Sequence, residues 1–312
     1  MNPIVFDRNV KKLQQSNAVR NPINTKTDYL KDEIACRLAD RFLDIKKSFH
    51  TVLDAGCGSG HLIKHLDSDI VTGKLIQMEM SKELLYRDEQ KQYDVETERV
   101  VGDMEQLPFE ENTFDAVVSS LSLHWVNDLP GTLIQFNKAL KPDGVFLGAI
   151  FGGDTLYELR TSLQLAEVER TNGISPHISP MVQHQEIGSL LTRAGLTLTT
   201  VDVDEVVVNY PSMFELMEDL QAMGESNALL RRYLVSIDFR KHHVSKDVFM
   251  AAAAAYKAIY GNKDGSIPAT FQVIYMIGWK PSDDQPKPLP RGSAKHSFKD
   301  IDSLDKVAKP TM

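Results

Sequence analysis

The sequence has few cysteines and no long apolar run, and each absence excludes a class of protein. Cys36 and Cys57 are its only cysteines, and they form neither a CxxC pair nor a Cys/His cluster at zinc spacing. A disulfide framework and a structural zinc site are therefore not expected, and a reducing compartment fits best. No stretch reaches the ~18 apolar residues of a spanning helix, so we expect no transmembrane segment.

Basic residues are in the minority. The 312 residues include 35 Lys and Arg against 43 Asp and Glu, which gives a formal net charge of -8. Non-specific binding of nucleic acid depends on a broad positive field, so no nucleic-acid partner is predicted. The hydrophobic fraction of 42% is ordinary for a globular domain and is enough for a large core.

The two ends of the chain differ in composition from its middle. Near the start, Arg8, Lys11, Lys12 and Arg20 outnumber the single acid Asp7. This weakly resembles an import presequence without its amphipathic Arg/Ser pattern, and a lead-in to the domain is the alternative. Residues 281–312 are rich in Pro, Lys, Asp and Ser and have no apolar period, which is typical of a flexible tail. We therefore predict a domain over residues 1–280 and a tail over residues 281–312.

Strands and helices alternate along most of the predicted domain. Predicted strands cover residues 51–54, 75–80, 97–101, 114–119, 145–151, 196–210 and 270–279. Predicted helices cover residues 28–47, 130–140, 155–170, 184–194, 211–224, 227–235 and 246–260, with shorter ones after Gly60 and Ser81. The alternation predicts a Rossmann-like, doubly wound α/β sheet whose last strand is antiparallel. The helices within residues 211–260 are a predicted insertion before that strand, either a lid over a substrate pocket or additional core packing.

A glycine-rich segment directly follows the first predicted strand. Residues 53–60 read LDAGCGSG, with Asp54 at the strand end and Gly56, Gly58 and Gly60 in the loop. Glycines there let the backbone turn tightly and approach a ligand closely, although an ordinary turn also uses them. Glu79 ends the second predicted strand ~20 residues later, where a carboxylate accepts hydrogen bonds from ribose hydroxyls. The combination predicts a nucleotide-type cofactor site.

The third and fourth predicted strands add to this site. Asp103 ends the third strand, where its side chain is placed to accept a hydrogen bond from the exocyclic amine of adenine. Met104 is expected to pack beside the ring, and Ser119, near the end of the fourth strand, completes the predicted cofactor-binding set. Because the carboxyl ends of parallel strands meet at one sheet edge, we expect these residues to converge.

Longer segments carry a family resemblance. Residues 53–60 and 102–109 (GDMEQLPF) differ from the GxGxxG fingerprint of NAD enzymes and resemble the class I S-adenosylmethionine-dependent methyltransferases. Residues 118–130 (VSSLSLHWVNDLP) and 140–144 (LKPDG) are similar to the branch with the malonyl carrier-protein methyltransferases. Three further segments resemble the mitochondrial complex I assembly factors of that branch, which are arginine hydroxylases: residues 151–160 (FGGDTLYELR), 175–180 (SPHISP) and 208–220 (VNYPSMFELMEDL).

The resemblance implies a function that cannot be inferred from composition and residue spacing. It implies S-adenosylmethionine as cofactor and hydroxylation of an arginine on a protein client, an early iron–sulfur subunit of complex I. It also implies residence on the matrix side of the inner mitochondrial membrane, with peripheral contact to that membrane. Two alternatives stay open, an O-methyltransferase acting on a carrier-bound or small carboxylic acid and a non-catalytic assembly chaperone.

Two residues are candidates for catalysis. His124 follows the fourth predicted strand, close to where the reactive sulfonium of the cofactor would lie, and it is placed to shape the cavity or move a proton. Structural packing explains His124 equally well. Tyr157, in the distinctive segment 151–160, is the second candidate for proton transfer. No metal site is predicted, because the His-x-carboxylate pairs at residues 65–67 and 184–186 lie on predicted helices, where such side chains diverge.

Overall fold

The structure, a computed structural model, describes residues 4–21, 23–230, 244–286 and 291–293. Its contacts divide the chain into two units, Met1–Pro281 and Ser282–Met312. Most of the predicted tail lies outside the described residues, so the domain and tail assignments stay predictions. None of the helices in the described part of the chain has the length and apolar composition needed to span a bilayer.

The described residues contain one seven-stranded sheet in the order β3-β2-β1-β4-β5-β7-β6. Strands β1 to β5 pair with their neighbours in parallel, and β7 runs antiparallel to both β5 and β6. This confirms the predicted doubly wound sheet with an antiparallel last strand. The strands are β1 (Phe49–Ala55), β2 (Val71–Glu79), β3 (Glu96–Val101), β4 (Phe114–Ser120), β5 (Leu140–Phe151), β6 (Thr197–Tyr210) and β7 (Ile267–Trp279).

Helices cover both faces of the sheet. Leu30 and Leu38 of α2 pack in one core and Leu133 and Phe136 of α4 in the other, and the apolar run of β4 is buried on both faces. Helices α7 and α8 lie between β6 and β7 in the chain, which confirms the predicted helical insertion. The helices are α1 (Arg8–Val19), α2 (Tyr29–Leu43), α3 (Lys82–Leu85), α4 (Leu129–Ala139), α5 (Tyr157–Thr171), α6 (His184–Arg193), α7 (Met213–Ala222) and α8 (Lys246–Tyr260).

The N-terminal segment and residues 227–230 differ from the sequence predictions. Helix α1 was not predicted, and the helix expected over residues 227–235 is wrong for residues 227–230, while residues 231–235 lie outside the described part. Leu229 instead forms an antiparallel bridge with Phe6. Because the backbone N–H of Asp7 donates to Ala228 O at 2.8 Å, the backbone of residues 227–230 pairs with the N-terminal segment rather than with itself.

One shorter prediction also needs correction. The helix expected after Gly60 is a single 3₁₀ turn, Leu62–His65. At the start of α2, Asp28 makes no side-chain capping hydrogen bond. Its carboxylate binds Arg87, with Nη2 to Oδ2 at 2.6 Å, so an ion pair has replaced the cap.

Candidate active site

The glycine-rich loop adopts the backbone conformation that its sequence predicts. Gly56, Gly58 and Gly60 have φ angles of 72°, 58° and 84°, in the left-handed region that other residues enter at a cost. At Gly56 there is also no room for a side chain, because an added Cβ would overlap the side chain of Ser122. The Ser122 hydroxyl donates to Gly56 O at 2.5 Å, which holds this turn against the end of β4.

Glu79 fastens the end of β2 to this loop. Its carboxylate accepts hydrogen bonds from the backbone N–H of Gly58 at 3.3 Å, of Met80 at 2.8 Å and of Ser81 at 3.1 Å. Burial raises the pKa of Glu79, although these three N–H groups lower it. The predicted ribose-binding carboxylate is therefore fixed in position beside the loop.

Asp54 is the least satisfied group in the site. It is buried at the end of β1, and neither carboxylate oxygen has a hydrogen-bond partner among the described residues. Burial, and next the charge of Glu79, raise the pKa of Asp54 to about 8. A buried carboxylate without a partner is costly, and a cationic group placed beside it would relieve that cost.

The residues predicted to bind the cofactor from the third and fourth strands, Asp103, Met104 and Ser119, each have different neighbours in the structure. Asp103 forms an ion pair with Arg8 of α1 and accepts the Glu105 N–H at 3.0 Å. Met104 is buried beside the glycine loop. The hydroxyl of Ser119 donates to Ala55 O at 2.8 Å, so its observed contact ties β4 to β1. The assignment of these residues to the cofactor stays a prediction.

Two small adjoining cavities open beside the glycine loop, and we call them together the glycine-loop cleft. Both are lined by Gln15, Gly56, Glu79 and Ser122. One adds Asp54, Gly58, Lys31 and Glu225, and the other adds Arg8, Lys11, Met104 and Trp125. Of the predicted cofactor residues, Asp54, Gly56, Gly58, Glu79 and Met104 thus meet here, while Gly60, Asp103 and Ser119 line neither cavity. Helix α1, which the sequence did not reveal, forms part of the wall.

A larger apolar cavity of about 250 Å³ lies next to the cleft. Its walls come from the first turn of α2, from α5, from α7 and one residue of α8, and from the segments at residues 177–181 and 223–227. Lys31 and Glu225 line both this cavity and the cleft, so the two spaces meet at that pair. The apolar lining includes Leu30, Trp125, Phe151, Leu159, Leu163, Met217, Leu220, Met223, Phe249 and Phe271.

Glu225 is the centre of a buried polar cluster at this junction. Its Oε1 lies 3.0 Å from Lys31 Nζ, and its Oε2 accepts the Trp125 Nε1–H at 2.7 Å and lies 3.4 Å from His124 Nε2. Lys11 Nζ lies 3.3 Å above the Trp125 ring centroid, and burial lowers its pKa to about 7. The cluster thus brings a carboxylate, two amines and an imidazole together in a largely buried position.

Of the two predicted catalytic residues, only His124 belongs to this cluster. Burial lowers the pKa of His124, although Glu225 raises it. A neutral His124 donates its Nε2–H to Glu225, which leaves the buried Nδ1 as an acceptor without a partner among the described residues. Tyr157 lies apart from the cluster, 41% exposed, with its ring 5.9 Å from that of Tyr260, and like His124 it is not in the lining of the cleft or of the apolar cavity. Its catalytic role stays a prediction.

Within the described residues, Asp28, Asp32 and His61 have the composition of a metal site. However, Arg87 Nη2 lies 2.6 Å from Asp28 Oδ2, and Lys64 Nζ lies 2.6 Å from Asp32 Oδ1. A metal ion would have to displace both cations, so this group is assigned to an ion-pair network.

Comparison with known proteins identifies the family. A methyltransferase-domain family matches residues 53–148, from the glycine loop to β5. The mitochondrial arginine-hydroxylase NDUFAF5 of Mus musculus is 53% identical over 97% of this chain and 85% of its own length. A malonyl-(acyl-carrier protein) O-methyltransferase of Laribacter hongkongensis is 29% identical over 81% of this chain and 83% of its own length.

A solved structure shows the same fold. A putative methyltransferase from Bacillus halodurans superposes with a TM-score of 0.50 at 18% identity, covering 78% of this chain and 99% of that one. The identity to the mouse relative extends through the inserted helices and the cavity that they line, well beyond the matched methyltransferase domain. The chain is therefore an enzyme with a class I methyltransferase fold, and it belongs to the family of the mitochondrial arginine-hydroxylases NDUFAF5.

Proposed function

We propose that this enzyme binds S-adenosylmethionine in the glycine-loop cleft and hydroxylates an arginine of a protein client, an early iron–sulfur subunit of complex I. The observation that carries the proposal is the 53% identity to an arginine-hydroxylase over 97% of the chain. The proposed place of action is the matrix side of the inner mitochondrial membrane, with peripheral contact to that membrane. The relatives' mitochondrial naming supports the organelle.

The residues of the cleft fit S-adenosylmethionine. The cofactor carries an ammonium and a sulfonium, and the unpaired carboxylate of Asp54 suits a nearby cation. Glu79 is placed to accept hydrogen bonds from the ribose hydroxyls, and Met104 to pack against the adenine. Gly56, with no Cβ, lets the backbone approach the cofactor. When bound, the cofactor supplies a methyl group activated by the positive sulfur.

In this proposal the chain's own residues bind and orient the client and transfer protons. Hydroxylation inserts one oxygen atom into a C–H or N–H bond of the arginine. With molecular oxygen as the external oxidant, the second oxygen atom leaves as water, and the step consumes two electrons from an external reductant and two protons. Nδ1 of His124 is the proposed proton acceptor, since burial lowers the pKa of this imidazole. His124 contacts Glu225, which lines both the apolar cavity and the cleft, so it would act on the reacting groups from behind that carboxylate.

Intact-mass and fragment analysis of the client separates the candidate functions. The purified enzyme is incubated with S-adenosylmethionine and the complex I subunit, and a gain of one oxygen on an arginine is expected. A gain of one methylene unit would instead indicate an O-methyltransferase, which the 29% identity to a malonyl-(acyl-carrier protein) methyltransferase favours as the second candidate. An unchanged mass, with the client still bound, would indicate a non-catalytic chaperone.

Arg8 is expected to control the release of the cofactor. Its guanidinium pairs with Asp103 and donates to Trp125 O at 3.1 Å, which holds α1 against the cleft. Replacing Arg8 with Met should speed dissociation of S-adenosylmethionine by roughly tenfold, the effect of a charged hydrogen bond of about 1.5 kcal/mol. Stopped-flow displacement by excess unlabelled cofactor measures the rate. The matched control is Arg20→Met at the other end of α1, and equal rates in both variants would show that α1 does not hold the cofactor in.

A further inference from the structure

We propose that Glu225 binds the guanidinium group of the client arginine in exchange for Lys31, and that the adjoining apolar cavity holds the methylene stem. The inference rests on the proposed function, because that function supplies arginine as the substrate. It adds the residue that distinguishes arginine from an uncharged side chain of the same shape.

Glu225 is an anion whose side chain is only 10% exposed, so it requires a cation. Burial raises the pKa of Glu225, but Lys31, His124 and Lys11 outweigh it and hold the pKa well below its usual range. The carboxylate is therefore ionised, and the Lys31 ammonium at 3.0 Å compensates its charge. A buried carboxylate without such a partner would be strongly destabilising, so any ligand that removes Lys31 must bring its own positive charge.

Lys31 is a replaceable partner. It lies on the first turn of α2, its side chain remains 19% exposed, and its Nζ also donates to Met223 O at 2.8 Å. An ammonium on a flexible four-carbon stem is strongly hydrated and regains water when it leaves. A guanidinium is more weakly hydrated and binds a carboxylate through two parallel hydrogen bonds. The exchange conserves the charge of the cavity and buries the cation that tolerates burial better.

The cavity has the composition that an arginine side chain needs. Leu30, Leu159, Met217 and Leu220 offer apolar walls for the three methylene groups. Trp125 lines the same cavity and places an aromatic ring, a preferred neighbour of guanidinium, beside the carboxylate. Because Glu225 also lines the glycine-loop cleft, a guanidinium held there would lie at the boundary with the cofactor.

Binding of two blocked amino acids tests the inference without turnover. The probes are Nα-acetyl-arginine N-methylamide and the citrulline analogue, whose urea group is neutral and nearly the same shape. Calorimetry of the full chain with S-adenosylmethionine present should show tighter binding of the arginine compound. Glu225→Gln should weaken that compound by at least about tenfold, the loss expected for a hydrogen bond to a charged group, and change the citrulline compound by less than about twofold.

Two substitutions of Lys31 give opposite expected shifts. Lys31→Met removes the competing cation and should strengthen binding of the arginine compound. Lys31→Arg places a tethered guanidinium on Glu225 and should weaken that binding several-fold, and as a conservative change it should fold even where Lys31→Met does not. Glu158→Gln is the matched control, because Glu158 is buried and accepts a hydrogen bond from Thr270 but does not line the cavity.

The outcomes of these binding and mass measurements separate an arginine-binding role of Glu225 from a purely structural one, and the arginine site from the proposed hydroxylation. Equal losses for both compounds in Glu225→Gln would assign Glu225 a purely structural role and overturn the inference, as would the absence of any arginine preference in the wild type. A preserved preference without oxygen gain on the client would contradict the proposed function and leave the arginine site standing. Oxygen gain on the client together with an unaltered preference in Glu225→Gln would overturn this inference alone.

Discussion

Gly56→Ala is expected to lower the affinity for S-adenosylmethionine roughly a hundredfold, because it closes the cleft and strains the loop together. The φ of Gly56 is 72°, where a side chain costs ~1–2 kcal/mol. The new Cβ would overlap Ser122 and lie 3.1 Å from Met104 Cε, and both of those side chains line the cleft. Calorimetric titration with S-adenosylmethionine measures the loss, with NAD as a ligand that neither protein should bind.

The control for this prediction is the same change at a glycine with free space. Gly188 lies in α6, and no atom of the described residues lies within 4 Å of the position that its Cβ would occupy. Gly188→Ala should therefore bind the cofactor as the wild type does, and far-UV circular dichroism should show that both variants keep their helices. Wild-type affinity in Gly56→Ala would show that the cofactor does not approach the Gly56 backbone, and would move the binding site away from this loop.

The sheet was largely predictable because its signals are local. The apolar run of β4 is typical of a strand covered on both faces, and helices α2 and α4 cover those faces in the structure. The predicted fifth strand began at residue 145, whereas β5 begins at Leu140, since Leu140 still pairs with Phe114 of β4. Such an extension depends on a neighbouring strand, which periodicity within one segment does not reveal.

The strand ends that form the site were also predictable, but the Lys31–Glu225 pair, where the cleft meets the apolar cavity, was not. Asp54, Gly56 and Glu79 follow buried strands at spacings that indicate a nucleotide site, and the structure brings them together. Lys31 and Glu225 meet only in the folded chain, and neither belongs to a local pattern. A charged residue in the first turn of a helix and a single acid after a helix end are both common at protein surfaces.

Helix α1 escaped prediction for a related reason. Its buried residues are Lys11, Ser16 and Ala18, so it has no apolar stripe by which a helix is recognised. Polar contacts attach it instead. Lys11 Nζ donates to Gly224 O at 3.0 Å and to Ser226 O at 2.7 Å, and Arg8 pairs with Asp103. These partners are distant in sequence, so Arg8 and Lys11, two of the basic residues that weakly resemble a presequence, are bound to the rest of the fold.

Asp54 is expected to reduce the stability of the ligand-free protein above acidic pH. Its pKa is about 8 in the folded protein against 3.8 for the free group. Between these values the folded state holds a proton that the unfolded state has released, so the free energy of unfolding falls as pH rises through this window. Above pH ~8 the folded protein carries the full cost of a buried, unpaired carboxylate.

Asp54→Asn should therefore stabilise the ligand-free protein by about 2–4 kcal/mol at pH 8 and by less than about 1 kcal/mol at pH 4, where the folded Asp54 is protonated and nearly isosteric with Asn. Thermal unfolding at both pH values measures this as a rise of roughly 5–10 °C in Tm at pH 8. Lys11, whose pKa is about 7, titrates in both proteins and cancels in the difference.

Asp115→Asn provides a control of opposite sign. Burial raises the pKa of Asp115, but hydrogen bonds from Lys141 and from the backbone of Thr51 and His50 outweigh it, so its pKa is lowered. This variant should be less stable than the wild type at neutral pH, and the deficit should vanish as pH falls through that lowered pKa.

If Asp54→Asn also proved less stable at pH 8, Asp54 would have to be ionised and compensated in the free protein, and it would no longer be available to favour a cationic cofactor. If it is more stable but binds S-adenosylmethionine poorly, the wild type retains a destabilising carboxylate because the cofactor needs it.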